Sequence, residues 1–284
     1  MSAGKRTQAP LLVVDGDSFA HRAFHALPRS IRRADGSPGN LLTGLVSMLL
    51  RLWQAERPRA VFVGWDTLFV PTYRNEALPG YQAGREFDPE LLEQLDLAPG
   101  LLEAAGVACA KAPGFEADDF LAAAVGEERR RGGTALVATS DRDAFQLAAD
   151  DVTILQPIRG VSELARIGPA EVRERYGVEP AQVSDFIALR GDPSDKIPGA
   201  RGVGAKTAAS LLGQYADLDA LLAAGRFAAE ADALRTFKWV ATLDATAPLP
   251  PLPDRQPDWS AGAAAADALG LGRLAGRLEE AASS

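Results

Sequence analysis

Nine carboxylate residues fall into five short clusters along this chain of 284 residues. No cluster contains a histidine or cysteine, so the clusters offer oxygen ligands, which favour Mg²⁺ or Mn²⁺ over zinc or copper. More carboxylates than one ion can use indicate a site for two or more ions, which can stabilise both the attacking and the leaving oxygen of a phosphodiester. The predicted metal ligands are Asp15, Asp66, Glu116, Asp118, Asp119, Asp141, Asp143, Asp192 and Asp195.

A single acidic cluster is explained equally well by loops and helix starts, where Asp and Glu are common. The five clusters, however, recur in similar structural positions. Short runs rich in β-branched residues and bounded by turn residues predict buried strands at 10–15, 59–66, 134–141 and 151–156. The first three of these runs end in Asp15, Asp66 and Asp141.

Helical patterns lie between the predicted strands, at 40–56 and 118–133. Strands that alternate with helices predict a parallel α/β sheet with right-handed crossovers. The aspartates that end the strands then lie at the carboxyl edge of the sheet, where such folds bind ligands.

Residues 67–99 show no strand pattern, and Pro, Gly, Arg and aromatic residues alternate there. We expect a mobile, partly helical segment over the site, because a connection of this length is usually functional or disordered. Beyond about residue 165 the pattern is helical, and a proline-rich stretch precedes a final helix at about 261–280. The predicted units are a core of 1–164 that includes the segment 67–99, a helical unit of 165–260, and a C-terminal helix and tail of 261–284.

The helical unit contains a glycine-rich turn between two predicted helices, in the segment GARGVGAKTA. Gly202 and Gly204 allow backbone amides to approach an anion, and Lys206 and the start of the next helix add positive charge. The segment differs from a phosphate-binding P-loop in spacing and because it follows a helix. The pattern is typical of a helix-hairpin-helix, which holds a nucleic-acid backbone without reading bases.

The net charge of −8 argues at face value against a polyanionic partner, but the nine clustered carboxylates account for more than this total. The single Cys109 excludes an internal disulfide and is expected in the core, and His21 with His25 lacks a third soft ligand. No apolar run approaches the roughly 20 residues that span a bilayer, and the first ten residues lack a signal-peptide pattern. We expect a cytoplasmic protein with no membrane association.

Several motifs together resemble the bacterial 5′-nuclease (flap endonuclease) family, which includes the amino-terminal 5′-exonuclease domain of DNA polymerase I. The resemblance runs from about residue 10 to residue 260 and rests on LLVVDGDSFAHRAFHAL, FVGWD, GFEADDFLA, ATSDRDAFQL and ALRGDPSDKIPGARGVGAKTA. It implies a PIN-like α/β fold: a twisted parallel sheet flanked by helices, a helical arch and a C-terminal helix-hairpin-helix. It also implies two-metal-ion cleavage of DNA at a 5′ flap, 5′ end or nick, in replication and repair.

The resemblance also implies roles for individual residues. Arg22 would contact a phosphate, and the arch residues Arg74, Tyr81 and Arg85 would lie near the scissile phosphate. The hairpin residues Gly202, Gly204, Lys206 and Thr207 would bind the duplex, with K⁺ as a further candidate ion there.

Two departures from the family pattern are Gln82, where the family commonly has Lys, and Lys196, where Asn is usual. Gln82 removes a positive charge expected near the scissile phosphate. No polymerase segment follows the nuclease motifs before Ser284, so a stand-alone, monomeric enzyme is expected.

Three alternatives remain open. In a haloacid-dehalogenase-like phosphatase, Asp15 would attack phosphate and Asp17 would be the general acid, but the cluster at 116–119 and the glycine hairpin would have no role. A catalytically silent DNA-binding homologue is favoured by Gln82 and opposed by carboxylates that repel DNA. A PIN-type ribonuclease would use the same metals on RNA. The helix-hairpin-helix pattern favours duplex DNA as the substrate, because RNA recognition normally uses other modules.

Overall fold

The computed structural model describes residues 9–283 and contains a six-stranded sheet in the order β3-β2-β1-β4-β5-β6. The strands are β1 (Leu11–Asp15), β2 (Ala60–Gly64), β3 (Ala108–Ala110), β4 (Ala135–Ala138), β5 (Val152–Arg159) and β6 (Glu163–Ile167). The four predicted strands are confirmed as β1, β2, β4 and β5. Their pairings are parallel, so their carboxyl ends meet at one edge of the sheet.

Two strands were not predicted. β6 pairs antiparallel with β5, so the sheet is mixed rather than wholly parallel. Residues 160–162 connect these two strands, and so short a connection permits a hairpin but no crossover to a parallel partner. β3 consists of small residues at the sheet edge, and its pattern is too short and too weakly β-branched to predict a strand.

Helices pack on both faces of the sheet. They are α1 (Gly16–Ala26), α2 (Asn40–Glu56), α3 (Tyr73–Ala77), α4 (Pro89–Ala104), α5 (Ala117–Arg130), α6 (Pro169–Tyr176), α7 (Val183–Arg190), α8 (Ala205–Gln214), α9 (Leu218–Ala223), α10 (Ala231–Ala241), α11 (Trp259–Ala268) and α12 (Gly272–Ala282). Short 3₁₀ turns lie at Asp143–Leu147, Pro180–Gln182 and Ala228–Glu230. None of the helices among residues 9–283 has both the length and the apolarity needed to cross a membrane.

The core lies on both faces of β1, whose five residues are all buried. Leu11 and Val13 pack in a cluster with residues of α5, α7, α8 and α10, while Leu12 and Val14 pack with residues of α1, α2, α4, α11 and α12. Successive side chains of a strand point to opposite faces, so a strand covered on both faces is apolar throughout.

The C-terminal region differs from the predicted single helix and tail. The chain turns at Gly270, where φ is +77° and an added Cβ would lie 2.4 Å from the Ala34 amide nitrogen, so α11 and α12 form a helical pair. Trp259 and Leu278 are buried against the second face of the core, and the Trp259 ring lies 5.4 Å from that of Trp53. This pair therefore belongs to the core. Residues 1–8 and Ser284 of the predicted units lie outside the described residues.

Candidate active site

A cleft of about 1010 Å³ opens at the carboxyl edge of the sheet. Seven of the nine predicted metal ligands line it, together with Arg85 and Gln82. The seven are Asp15, Asp66, Glu116, Asp118, Asp141, Asp143 and Asp192. The strand ends, the start of α5 and the turn after α7 thus bring together residues that are far apart in sequence.

The turn from β1 into α1 holds two aspartates at the cleft. Asp15 accepts hydrogen bonds from the Ser18 amide at 2.9 Å and from the Thr139 hydroxyl at 2.7 Å, which fix its carboxylate between β1 and β4. Asp17 accepts a hydrogen bond from the Asp66 amide at 2.7 Å. Asp17 lines the cleft and was not predicted as a ligand, although its position two residues after Asp15 could have indicated it.

The start of α5 joins the end of β2 at the cleft. Asp66 accepts a hydrogen bond at 2.7 Å from the amide of Ala117, the first residue of α5. Glu116 accepts hydrogen bonds from the Tyr81 hydroxyl at 3.0 Å and the Thr72 hydroxyl at 3.1 Å. Tyr81 therefore positions a carboxylate and does not itself line this cleft.

The turn after α7 brings Asp192 into the cleft lining, whereas Asp195 does not line the cleft and contacts Gln82 and Arg85, which do. The two ends of this turn approach closely, because an added Cβ on Gly191 would lie 2.7 Å from the Pro198 carbonyl oxygen and one on Gly199 would lie 2.5 Å from the Gly191 nitrogen. Both glycines also have positive φ, which other residues rarely adopt. Asp195 accepts a hydrogen bond at 3.0 Å from the Gln82 amide group.

Arg74 and Asp119 form a buried ion pair that does not line the cleft, which differs from their predicted roles. The Arg74 side chain is 1% exposed and that of Asp119 is 0% exposed. Both terminal nitrogens of Arg74 donate to Asp119 at 2.8 Å, and Tyr73 and the Asp244 amide also donate to this carboxylate. Because these donors occupy both oxygens of Asp119, this carboxylate helps to hold the start of α5 in place. Arg74 is buried and paired, so it has no access to a phosphate in this arrangement.

Arg74 also contacts neighbours of Asp119. Arg74 Nη2 lies 3.4 Å from Asp118 Oδ1, and Arg74 Nη1 lies 3.7 Å from Glu116 Oε2. Arg74 Nε donates to the Val240 carbonyl at 3.0 Å. The guanidinium thus links α3, the acidic start of α5 and α10.

Other basic side chains surround the cleft. The Arg85 side chain is 45% exposed, and its Nη2 lies 3.3 Å from Asp195 Oδ1. Arg22 donates to the Ser140 hydroxyl at 2.8 Å beside the cleft mouth. Arg142 and Arg190 line the cleft and were not predicted, although each lies within two residues of a predicted acidic ligand in the sequence.

The electrostatics of the cleft indicate a deficit of positive charge. Burial raises the pKa of Asp15 to about 7, and the charges of Asp66 and Asp141 add to this effect. Burial also raises the pKa of Glu116 to about 7, against the lowering effect of Arg74. The pKa values of Asp17, Asp118 and Asp143 are raised well above their usual range, chiefly by burial. Divalent cations would supply the missing charge.

The donor set fits Mg²⁺ or Mn²⁺. Within residues 9–283, no group of three or more His, Cys, Asp or Glu side chains is arranged to hold a metal ion by protein ligands alone. Mg²⁺ usually keeps several waters and uses one or two carboxylates, so an open wall of carboxylates suits it.

The helix-hairpin-helix prediction corresponds to α7, the turn that follows it, and α8. Gly202, Gly204, Lys206 and Thr207 are all exposed at the start of α8. An added Cβ on Gly202 or Gly204 would meet nothing within 4 Å, so the space above this turn is open to a ligand.

Comparison with protein families identifies two consecutive matches. Residues 10–177 match the N-terminal resolvase-like domain of 5′-3′ exonucleases, and residues 178–256 match their C-terminal SAM fold. The chain belongs to the 5′-3′ exonuclease family.

The chain is similar in sequence to proteins of two lengths. A 5′-3′ exonuclease of Mycobacterium tuberculosis is 39% identical over 237 residues, which cover 76% of this chain and 74% of that protein. DNA polymerase I of Mycobacterium bovis is 42% identical over 219 residues, or 76% of this chain and 24% of the polymerase. The chain thus spans about a quarter of the polymerases that it matches and most of the shorter exonuclease.

Solved structures with low sequence identity confirm the fold. The phage T5 5′-exonuclease with bound zinc aligns with a TM-score of 0.69 at 20% identity, over 96% of this chain and 99% of that one. The T5 flap endonuclease in a complex with DNA and metal ions aligns with a TM-score of 0.68 at 19% identity, over 97% of this chain and 100% of that one. These likenesses confirm the PIN-like sheet followed by a helical unit.

Proposed function

We propose that the protein is a 5′-3′ exonuclease and flap endonuclease that hydrolyses DNA with two divalent cations, Mg²⁺ or Mn²⁺, in replication and repair. The observation that carries this proposal is the convergence of seven predicted carboxylates on one cleft at the sheet edge. Family membership and the DNA and metal ions of the T5 complex support it.

The carboxylates of the cleft form two groups that would each hold a cation, directly or through water. One group lies at the ends of β1 and β2 and the start of α5, and the other lies in the turns after β4 and α7. The first group is Asp15, Asp66, Glu116 and Asp118, and the second is Asp141, Asp143 and Asp192. Asp195, which lies beside the cleft lining, would join the second group through water. Bound cations would neutralise the phosphate, activate water and stabilise the leaving oxygen.

The protein's own residues keep these carboxylates in place. Thr139 and Tyr81 donate to Asp15 and Glu116, which limits the reorganisation needed when a cation and a phosphate enter. Arg85 is exposed enough to leave Asp195 and contact a phosphate oxygen. We assign to Arg85 the electrostatic role at the scissile phosphate that Arg74 cannot perform from its buried position.

The hairpin would hold the duplex beside the cleft. The amides at the start of α8 and the Lys206 ammonium attract a backbone phosphate, and K⁺ could join them there. Because Asp192 lies in the turn between α7 and α8, the duplex contact and the metal cleft would lie on one continuous stretch of the chain.

Incubation of a labelled 5′-flapped duplex with Mg²⁺, Mn²⁺ or chelator tests the proposed reaction. We expect short products that depend on the added ion, because the oxygen-only ligands hold hard cations. Cleavage that survives chelation would contradict a metal-dependent reaction. Tight binding without cleavage under any ion would instead favour a catalytically silent DNA-binding protein.

Asp141→Asn tests the ligand assignment. We expect the single-turnover rate to fall by about two orders of magnitude or more, with flap binding unchanged or tighter because a negative charge near phosphate is lost. Asp96→Asn is the matched control, since Asp96 is exposed on α4 and does not line the cleft. Equal rates for the two variants would remove Asp141 from the metal site.

A further inference from the structure

A second cavity of about 350 Å³ opens beside the carboxylate cleft. The two cavities share part of their walls, including Asp66, Arg85 and Phe87. The second cavity is otherwise lined mainly by residues 67–72 and by Pro79, Tyr81 and Ala83. A strand that places a phosphate in the first cavity therefore has a direct path into the second.

The outer wall of this second cavity carries an aromatic side chain in an unusual setting. Phe69 is 77% exposed, the highest value among the large exposed hydrophobic residues. Its φ is +63°, a left-handed conformation that is rare and strained for a bulky residue. Such strain is retained mainly where it serves a function. Here it presents an apolar ring to solvent.

Phe69 continues into a row of rings that reaches the cleft. Its ring lies edge-on to Phe87 at a centroid distance of 5.9 Å, and Phe87 lies 5.8 Å from the His21 ring. Phe87 and His21 both line the carboxylate cleft. Arg85 lies in the shared wall, so a cation and exposed rings occur next to each other.

We propose that this second cavity, with Phe69 and Phe87 as its aromatic wall, is a stacking subsite for an unpaired base of the DNA strand that enters the cleft. A single strand alternates anionic phosphates with flat apolar bases, which matches Arg85 beside the two rings. Stacking on aromatic side chains tolerates any base sequence. The inference rests on the proposed function, because the ligand is the substrate strand. It specifies that this strand must present an unpaired base beside the phosphate in the cleft.

Binding in the presence of chelator tests the subsite without any cleavage. Duplexes with a 5′ unpaired strand carry 2-aminopurine at successive unpaired positions. With the wild-type protein we expect fluorescence quenching at one or two positions, and we expect Phe69→Ala to abolish it and Phe69→Tyr to retain it. Equal fluorescence with the wild-type and Phe69→Ala proteins would overturn the proposal.

An abasic substitution at the quenched position separates stacking from general damage. We expect Phe69→Ala to weaken binding of the intact strand by about 5- to 100-fold and to leave binding of the abasic strand unchanged. Ile158→Ala is the control, because Ile158 is 55% exposed on β5 and does not line either cavity. Equal losses on the intact and abasic strands would also overturn the subsite.

Cleavage kinetics distinguish the two proposals from each other. In Mg²⁺ or Mn²⁺ we expect Phe69→Ala to raise KM with little change in kcat, because Phe69 lines the second cavity and does not line the carboxylate cleft. Failure of the wild-type protein to cleave would refute the proposed function, while quenching that depends on Phe69 would still support the subsite. Normal cleavage with an unchanged KM for Phe69→Ala would refute the subsite alone.

Discussion

The side chains of the site differ in their access to a ligand. Asp15, Glu116 and Asp141 face the cleft, whereas Arg74 and Asp119 neutralise each other in the protein interior. The carboxylates that face the cleft can bind cations, and the buried pair can act through the position of α5. Substitutions of the cleft carboxylates should therefore change the cleavage rate, whereas substitutions of the buried pair should change the free energy of unfolding.

Arg74→Ala should lower the free energy of unfolding by about 3–5 kcal/mol, because it leaves the Asp119 carboxylate buried without its partner. Urea unfolding measures this change. Arg85→Ala is the matched control: its exposed side chain should contribute about 1 kcal/mol or less to stability. Its loss should nevertheless slow cleavage by about 100-fold if it contacts the scissile phosphate. An Arg74→Ala protein of normal stability but no activity would contradict the buried-pair role.

The metal-free protein should lose stability between pH 5 and pH 8. The pKa values of Asp15 and Glu116 are raised to about 7 in the folded state by burial, so folding favours their protonated forms. The stabilisation is full below the usual carboxyl pKa and is lost as pH rises through about 7. Thermal unfolding in chelator at pH 5, 6, 7 and 8 measures the trend.

Mg²⁺ or Mn²⁺ should restore the melting temperature at pH 8, because a cation compensates the ionised carboxylates. Asp15→Asn supplies the control, since it removes one of the titrating groups and should flatten the pH dependence. A melting temperature of the metal-free wild-type protein that is constant or rises from pH 5 to pH 8 would contradict this account.

At the scale of elements, the site depends on how each helix begins. α5 starts with a carboxylate cluster, and α8 starts at an open glycine turn with Lys206 in its first turn. Free amides at a helix N-terminus favour anions. In α5 these amides meet the protein's own carboxylates, such as Asp66, whereas in α8 they face solvent and can meet DNA.

Gly204→Val should weaken duplex binding by about 10-fold or more while changing stability by no more than about 1–2 kcal/mol, because its side chain would enter space open to the backbone of a ligand. Gel-shift titration and urea unfolding measure the two effects. Gly213→Val is the control on the same helix, since Gly213 is exposed near the opposite end and an added Cβ there also meets nothing within 4 Å. Equal binding by both variants would exclude the turn from the interface.

Lys206→Ala should reduce the slope of log Kd against log salt by about one phosphate contact. Titrations at several salt concentrations measure the slope. Arg273→Ala provides a comparison, since Arg273 is exposed on α12, which packs in the core cluster on the opposite face of the sheet from α8. A wild-type slope for Lys206→Ala would count against its phosphate contact.

At the scale of the molecule, the matched family domains end at residue 256, yet the protein core continues beyond them. Trp259, Leu274 and Leu278 are buried against the sheet face that carries α2 and α4. The α11 and α12 pair therefore completes the core on the side opposite α5.

Trp259→Ala should destabilise the protein by about 3–5 kcal/mol, because it removes a large buried ring and leaves a cavity. Trp239→Ala is the control, since Trp239 is 50% exposed and should cost about 1 kcal/mol or less. Unfolding in urea compares the two variants. A loss for Trp259→Ala as small as that expected for Trp239→Ala would show that α11 does not contribute a core residue at position 259.

The sequence alone determined the order of the main elements and the position of the acids within them. A strand buried on both faces must be apolar throughout, so β1, β2, β4 and β5 could be predicted from local composition. Asp15 at the end of β1 and Asp141 after β4 could then be assigned to one edge, because parallel strands share their carboxyl edge. The helix at 40–56 and the glycine turn before α8 were predictable for similar local reasons.

The tertiary structure decided which of these residues a ligand can reach. Arg74 and Asp119 have the residue types of a phosphate contact and a metal ligand, but their mutual contact spans 45 positions in the sequence. Local pattern carries no information about such a pairing or about the burial that makes it stable. The same holds for Phe69, whose ring could not be distinguished from a core residue until the strained backbone and its exposure were known. The access of a ligand to a side chain, and the pairing of two side chains, depend on the packing of segments that are distant in sequence. Local sequence patterns therefore cannot predict them.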